Sequence, residues 1–120
     1  MIRISRREFE QLVEEALGEL PQRFAALLDN VAVVVEEEPS DEDLDVLDDG
    51  HGHELLGIYR GVPMTERHYD ALRLPDQVAI FRGPILRVAR SRSDALHAIR
   101  DTVIHELGHY FGLNDEEMAY

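Results

Sequence analysis

Four residues near the C-terminal end have types and spacings that do chemistry together. They are His105, Glu106, His109 and Asp115, in the run His105-Glu106-Leu107-Gly108-His109-Tyr110-Phe111-Gly112-Leu113-Asn114-Asp115. Two histidines four apart on a helix stand on nearly the same face, one turn above the other. Both imidazoles can then ligate one metal ion. Glu106 sits roughly 100° around the helix from His105 and roughly 60° from His109. That places it beside the ion, where it can handle a metal-activated water. Gly112 is the residue type that ends a helix in the left-handed conformation without steric cost, so the chain can double back and bring in Asp115 as a third ligand. Two nitrogens and one carboxylate oxygen leave a fourth place open, the mark of catalytic rather than structural zinc. The same donors also suit other first-row ions, with Zn2+ the expected one.

A bland alternative is a pair of surface histidines on an acidic helix. The helical setting, the glycine break and the correctly spaced third acid all oppose it. The chemistry these residues point to is hydrolysis of a peptide bond. The metal lowers the pKa of a water and polarises the scissile carbonyl, and Glu106 as general base takes the proton and passes it to the leaving amine. Tyr59, Arg60 and Tyr110 are candidates for a further oxyanion donor.

The helix that must carry the ligands is expected over Asp94 to Phe111, capped by Ser91 or Ser93. On it Leu96, Ile99, Val103, Leu107 and Tyr110 cluster within roughly 80°, on the side away from His105 and His109. One face packs and the other presents the ligands, which makes Tyr110 the weakest oxyanion candidate. His97, two turns before His105, reads as a surface or boundary residue. At the other end of the chain, Ser5-x-x-Glu8 is a capping box. It opens a helix with Phe9, Leu12, Val13, Ala16, Leu17 and Leu20 on one face, and a short second helix starts at Pro21.

Val31-Ala32-Val33-Val34-Val35 predicts a strand covered on both faces and central in a small sheet. Glu54 to Tyr59 predicts a second strand, left by a turn at Gly61-Val62-Pro63. Asp76 to Arg82 predicts a third, between Pro75 and Gly83-Pro84. An extended substrate is expected to add to the sheet edge along Gln77 to Arg82. Pro84 then opens a short helix carrying Ile85, Leu86, Val88 and Ala89.

At 120 residues the chain has room for one domain, 1–120, with a modest core. It has no cysteine, which excludes disulfides, thiolate zinc sites and a cysteine nucleophile together. The N-terminus has no apolar signal region and no run reaches membrane-spanning length, so a cytoplasmic protein with no membrane partner is expected. Net charge is −13, with arginine as the only strong base, a field that repels phosphate backbones. No nucleic-acid partner is expected. Glu36 to Asp49 holds nine acids and no base and reads as part of a solvated loop, residues 36–53. A calcium loop starting at Asp41 fails, because its sixth place is Val46 and its twelfth is Gly52. His51 and His53 are assigned no role.

These residues resemble those of a known group, the small bacterial zincin-like metallopeptidases, or minimal metalloproteases. The resemblance rests on His105-Glu106-x-x-His109-x-x-Gly112-x-x-Asp115-Glu116 and on two upstream blocks, Leu56-Gly57-Ile58-Tyr59-Arg60-Gly61-Val62-Pro63-Met64-Thr65 and Ile80-Phe81-Arg82-Gly83-Pro84-Ile85. It implies an α+β, zincin-like fold, with a small mixed sheet packed against an N-terminal backing helix and a C-terminal metal-binding helix. It also implies zinc held by His105, His109 and Asp115, Glu106 as base, and a peptide or protein substrate. Larger zincins differ in carrying a third histidine and a downstream Met-turn, for which five residues after Asp115 leave no room. Two other functions compete. One is a non-catalytic, metal-stabilised acidic interaction domain. The other is a metal-dependent RNA-processing hydrolase, whose H-x-x-x-H-x-x-x-x-x-H spacing His105, His109 and Asp115 also satisfy, but which Glu106 and the charge of −13 disfavour.

Overall fold

The computed structural model describes residues 2–46, 54–61 and 75–111. Ser5 opens helix α1 (Arg6–Gly18) by accepting a hydrogen bond from the Glu8 N–H at 3.1 Å, which satisfies one of the donors a helix start leaves over. The helix buries Phe9, Leu12, Val13 and Ala16, four residues of the predicted apolar face. Pro21 then precedes α2 (Gln22–Leu27), which buries Phe24, and a 3-10 turn over Leu28–Asn30 leads into β1 (Val31–Glu36).

The remaining elements are α3 (Asp41–Val46), β2 (Gly57–Arg60), β3 (Asp76–Phe81), α4 (Arg82–Val88) and α5 (Arg92–Tyr110). Pro84 lies inside the first turn of α4, where its missing N–H costs nothing. The strands form one mixed sheet in the order β1-β3-β2. β1 runs parallel to β3 with Val33 opposite Val78, and β2 runs antiparallel with Tyr59 opposite Val78.

This order corrects two expectations. The valine run is an edge strand, half-buried at every position, while β3 is central and fully buried from Val78 to Phe81. A β-branched run reports cover on the two faces of a strand and not what lies beside it. Val31, Val33 and Val35 face the helices and Val34 faces away, so both faces are covered although no second strand pairs with β1 among the described residues. Residues 77–80 of the segment expected to pair with substrate are in β3 and already paired on both sides, Phe81 pairs with β1 and donates its N–H to the Leu56 carbonyl, and Arg82 has passed into α4.

Helices α1 and α5 pack on one face of the sheet, where Val78 and Ile80 meet Phe9, Leu12, Phe24, Ile99, Val103 and Leu107. The opposite face holds a smaller cluster of Leu55, Ile58, Ala79 and Phe81. Beside it residues 41–46 of the acidic stretch, which composition reads as a loop, form α3, while residues 47–53 lie outside the described residues. Ser40 and Asp43 cap it reciprocally, the Asp43 N–H donating to Ser40 Oγ at 3.2 Å and the Ser40 N–H to Asp43 Oδ2 at 2.9 Å. Three of its four acids, Asp41, Glu42 and Asp43, lie in the first turn, where they suit the helix dipole. Arg60 neutralises this corner, donating to Glu36 at 2.8 and 2.9 Å and to Asp43 at 2.7 and 3.2 Å. Among the described residues no helix is long and apolar enough to cross a membrane.

Candidate active site

Helix α5 begins where Ser91 Oγ accepts from the Asp94 N–H at 3.1 Å. It buries Ala95, Ile99, Val103, Ile104, Leu107 and Gly108 against the sheet and α1. His105 and His109 are exposed on the other side, as is His97 further back. The two rings lie 5.7 Å apart between centroids, tilted by 50°. Two imidazoles on one tetrahedral ion, with nitrogens about 2.1 Å from it, hold their ring centres about 5 Å apart. The separation of the two rings is therefore compatible with a shared ion such as zinc.

A second row of α5, Thr102, Glu106 and Tyr110, faces β2. Gly57 makes this approach possible. A Cβ built there would stand 2.5 Å from Thr102 Cγ2 and 2.8 Å from the Ala79 carbonyl oxygen, closer than any side chain tolerates. One residue further along β2 than Ile58, the backbone N–H of Tyr59 donates to Glu106 Oε1 at 2.9 Å. That N–H points away from β3, so the Tyr59–Val78 pair is a non-hydrogen-bonded one in the antiparallel ladder. The catalytic candidate Glu106 is thus gripped by the outer edge of β2.

Burial pushes the Glu106 carboxyl above the usual carboxylate range; the Tyr59 N–H and the nearby His109 and His105 oppose the rise without cancelling it. A carboxylate that binds protons more tightly than usual is suited to general-base work near neutrality.

Tyr110 is not on the packing face. It is 51% exposed and its ring stacks on that of Tyr59, with centroids 3.8 Å apart and planes at 13°. Leu107 is the last residue of the buried stripe, and Tyr110, one turn later, lies beyond the helix core and beside the sheet edge. The other two oxyanion candidates are engaged elsewhere. The Tyr59 hydroxyl donates to Asp76 Oδ2 at 2.7 Å. Arg60 points to the far face of the sheet, where its bonds to Glu36 and then Asp43 raise its pKa further.

Asp115 and Gly112 lie outside the described residues, as do His51 and His53. Among the described residues no three His, Asp or Glu side chains form a set able to hold a metal ion. Sequence reasoning passed over two residues that shape the site. Gly57 carried a usable signal, because a glycine inside a strand pattern marks close backbone approach. Asp76, 7% exposed and bonded to Tyr59, carried none.

Comparison with known proteins adds to this geometry. The family model described as zincin-like metallopeptidase matches residues 28–120. Among solved structures, a conserved hypothetical protein from Thermus thermophilus is similar, with 27% identity over 90% of this chain and 94% of that one and a TM-score of 0.56. No curated protein is significantly similar to this chain.

Proposed function

The chain belongs to the family of zincin-like metallopeptidases and has their α+β fold, and from that premise we propose that it hydrolyses peptide bonds at a zinc ion held by His105, His109 and Asp115. The observation that carries the reading is the position of Glu106, bonded to the Tyr59 N–H at 2.9 Å beside two exposed imidazoles 5.7 Å apart. Zinc bound there supplies Lewis acidity, which brings the pKa of a water toward neutrality and polarises a carbonyl.

The chain's own residues supply the rest. The bond from Tyr59 occupies Oε1 of Glu106 and fixes the carboxylate plane, leaving Oε2 to take the proton of the attacking water. Burial raises the proton affinity of this carboxyl in the metal-free chain, and its position lets Glu106 hand the proton on to the leaving amine. An extended substrate adds beside β2, whose outer side runs past Glu106, and main-chain hydrogen bonds keep it straight across the reacting position. Helix α5 is anchored by its buried face against the sheet and α1, which sets the spacing of the histidines and Glu106.

Glu106→Gln tests this reading directly. The amide oxygen still accepts from Tyr59, so the fold and zinc content persist. Hydrolysis of a mixed peptide library falls by about 10²-fold or more, the usual contribution of a positioned base. A variant that cleaves at the wild-type rate removes Glu106 from the chemistry.

A further inference from the structure

Helix α5 meets β2 at two points one turn apart, and a single residue of the strand receives both. The backbone N–H of Tyr59 donates to Glu106 Oε1 at 2.9 Å, and the Tyr59 ring stacks on that of Tyr110 with centroids 3.8 Å apart. Glu106 and Tyr110 are an i, i+4 pair and so lie on the same side of the helix. Each directly follows one of the histidines, His105 and His109.

Tyr59 is a firm platform for the second contact. Its strand is paired with β3, and its hydroxyl reaches back to the first residue of β3, donating to Asp76 Oδ2 at 2.7 Å. The end of α5 depends on such a platform. The buried stripe of the helix stops at Leu107 and Gly108, and His109, Tyr110 and Phe111 beyond it are all exposed. Phe111 adds its ring edge-on to both tyrosines, at 6.2 and 5.2 Å. Helix ends without burial fray, so here the ring cluster is what opposes unwinding of the turn that the Phe111 N–H closes on the Leu107 carbonyl at 3.0 Å.

We propose that Tyr110 is a positioning residue for the metal site: by stacking on Tyr59 it keeps the last turn of α5 wound and so holds His109 one turn from His105, as a shared ion requires. The inference rests on the reading above that both histidines are zinc ligands. The Glu106 bond pins α5 at the level of His105, and the Tyr110 stack pins it at the level of His109. Two contacts on one strand residue also fix the rotation of the helix about its own axis, which sets the direction of both imidazoles relative to β2. A last turn that unwinds part of the time lowers the fraction of molecules ready to bind the ion, and apparent affinity falls with that fraction.

The test uses the full-length chain. Alanine is a better helix former than tyrosine, so loosening in Tyr110→Ala reports the lost stack and not propensity. In metal-free Tyr110→Ala the Phe111 amide is expected to exchange about threefold faster than in wild type, read by NMR with chelator present, while the Val103 amide keeps its rate. The zinc Kd, from competition with a chromophoric chelator, rises by about threefold to tenfold, the scale of one stacked aromatic pair. Tyr110→Phe keeps the ring and restores both readouts to within about twofold of wild type. Equal zinc Kd in wild type and Tyr110→Ala overturns the proposal. So does a Tyr110→Phe protein as weak as Tyr110→Ala, which assigns the effect to the hydroxyl, or a Val103 amide that loosens as much as Phe111, which makes the loss one of global stability. Cleavage of the mixed peptide library judges the peptidase reading separately. A Tyr110-dependent zinc Kd without cleavage keeps the proposal and sinks the peptidase, whereas cleavage with a Kd indifferent to Tyr110 does the reverse. A wild type that binds no zinc overturns both.

Discussion

The Tyr59 backbone N–H donates to Glu106 Oε1 at 2.9 Å, so the edge of a sheet holds the acid that the adjoining helix presents. The bond joins β2 to α5 at the point where the reaction is proposed to occur. It orients a carboxylate that burial would otherwise leave poorly solvated. Glu106→Asp, one methylene shorter, withdraws from Tyr59 and misplaces the base. It is expected to lower kcat by about tenfold to a hundredfold with little change in KM, read from steady-state kinetics.

Glu106 also carries a stability cost in the metal-free protein. Its folded pKa lies above the ordinary glutamate value, so its contribution to stability is greatest below the unfolded pKa and is lost as pH rises through the folded one. Replacing it with glutamine removes that loss. Metal-free Glu106→Gln therefore melts at a higher temperature than metal-free wild type at pH 7, and the difference disappears below about pH 4, where both states of the wild type are protonated. Thermal melts across pH in the presence of a chelator check this.

Gly57→Ala places a methyl 2.5 Å from Thr102 Cγ2 and 2.8 Å from the Ala79 carbonyl oxygen. Either the strand or the helix must shift. The expected loss is about 1–3 kcal/mol of stability in denaturant titrations, with a fall in peptidase activity as α5 moves off β2. Adding Thr102→Ser removes the nearer clash but leaves the carbonyl, so it restores only part of each.

Arg60 is the counter-ion for Glu36 and Asp43, and Asp43 is 6% exposed. The hydrogen bond from Arg60 holds Glu36 below the usual carboxylate range; for Asp43 burial pulls upward, but the bonds from Arg60 and Ser40 outweigh it. Both folded pKa values are lowered, so the stability they contribute is present above the unfolded values near about 4 and is lost as pH falls through the folded ones. Arg60→Met strands Asp43 without its partner. Because the arginine side chain keeps 30% exposure, the cost at pH 7 is discounted to about 1–3 kcal/mol. Urea titrations should show the wild-type advantage shrinking below about pH 4.

Zinc is expected to stabilise the folded chain by mass action, by about 4 kcal/mol at a free concentration a thousandfold above its Kd. His105→Ala and His109→Ala each abolish that gain, and Asp115→Ala weakens it. Melting temperature against free zinc, with metal content from elemental analysis, measures all three. An Asp115→Ala protein with unchanged zinc affinity removes Asp115 from the ligand set.

Local regularities in the sequence determined much of this protein. The capping serines Ser5 and Ser91, the apolar face from Phe9 to Ala16, and the stripe from Ile99 to Leu107 all act within a few turns of one helix, so a short window reports them. The i, i+4 spacing of His105 and His109 likewise dictates that they share a face, whatever surrounds the helix. Strand order is a different kind of fact. It depends on pairings between Val33 and Val78 and between Tyr59 and Val78, which are remote in the chain and leave no periodic trace. Only the tertiary structure therefore decided that β2 is the edge beside the helix, that β3 is enclosed, and that Tyr110 stacks outward on Tyr59 instead of packing inward. The grip of Tyr59 on Glu106 belongs to the same class, because a backbone N–H is chemically identical at every non-proline position and acquires a role only from where folding puts it.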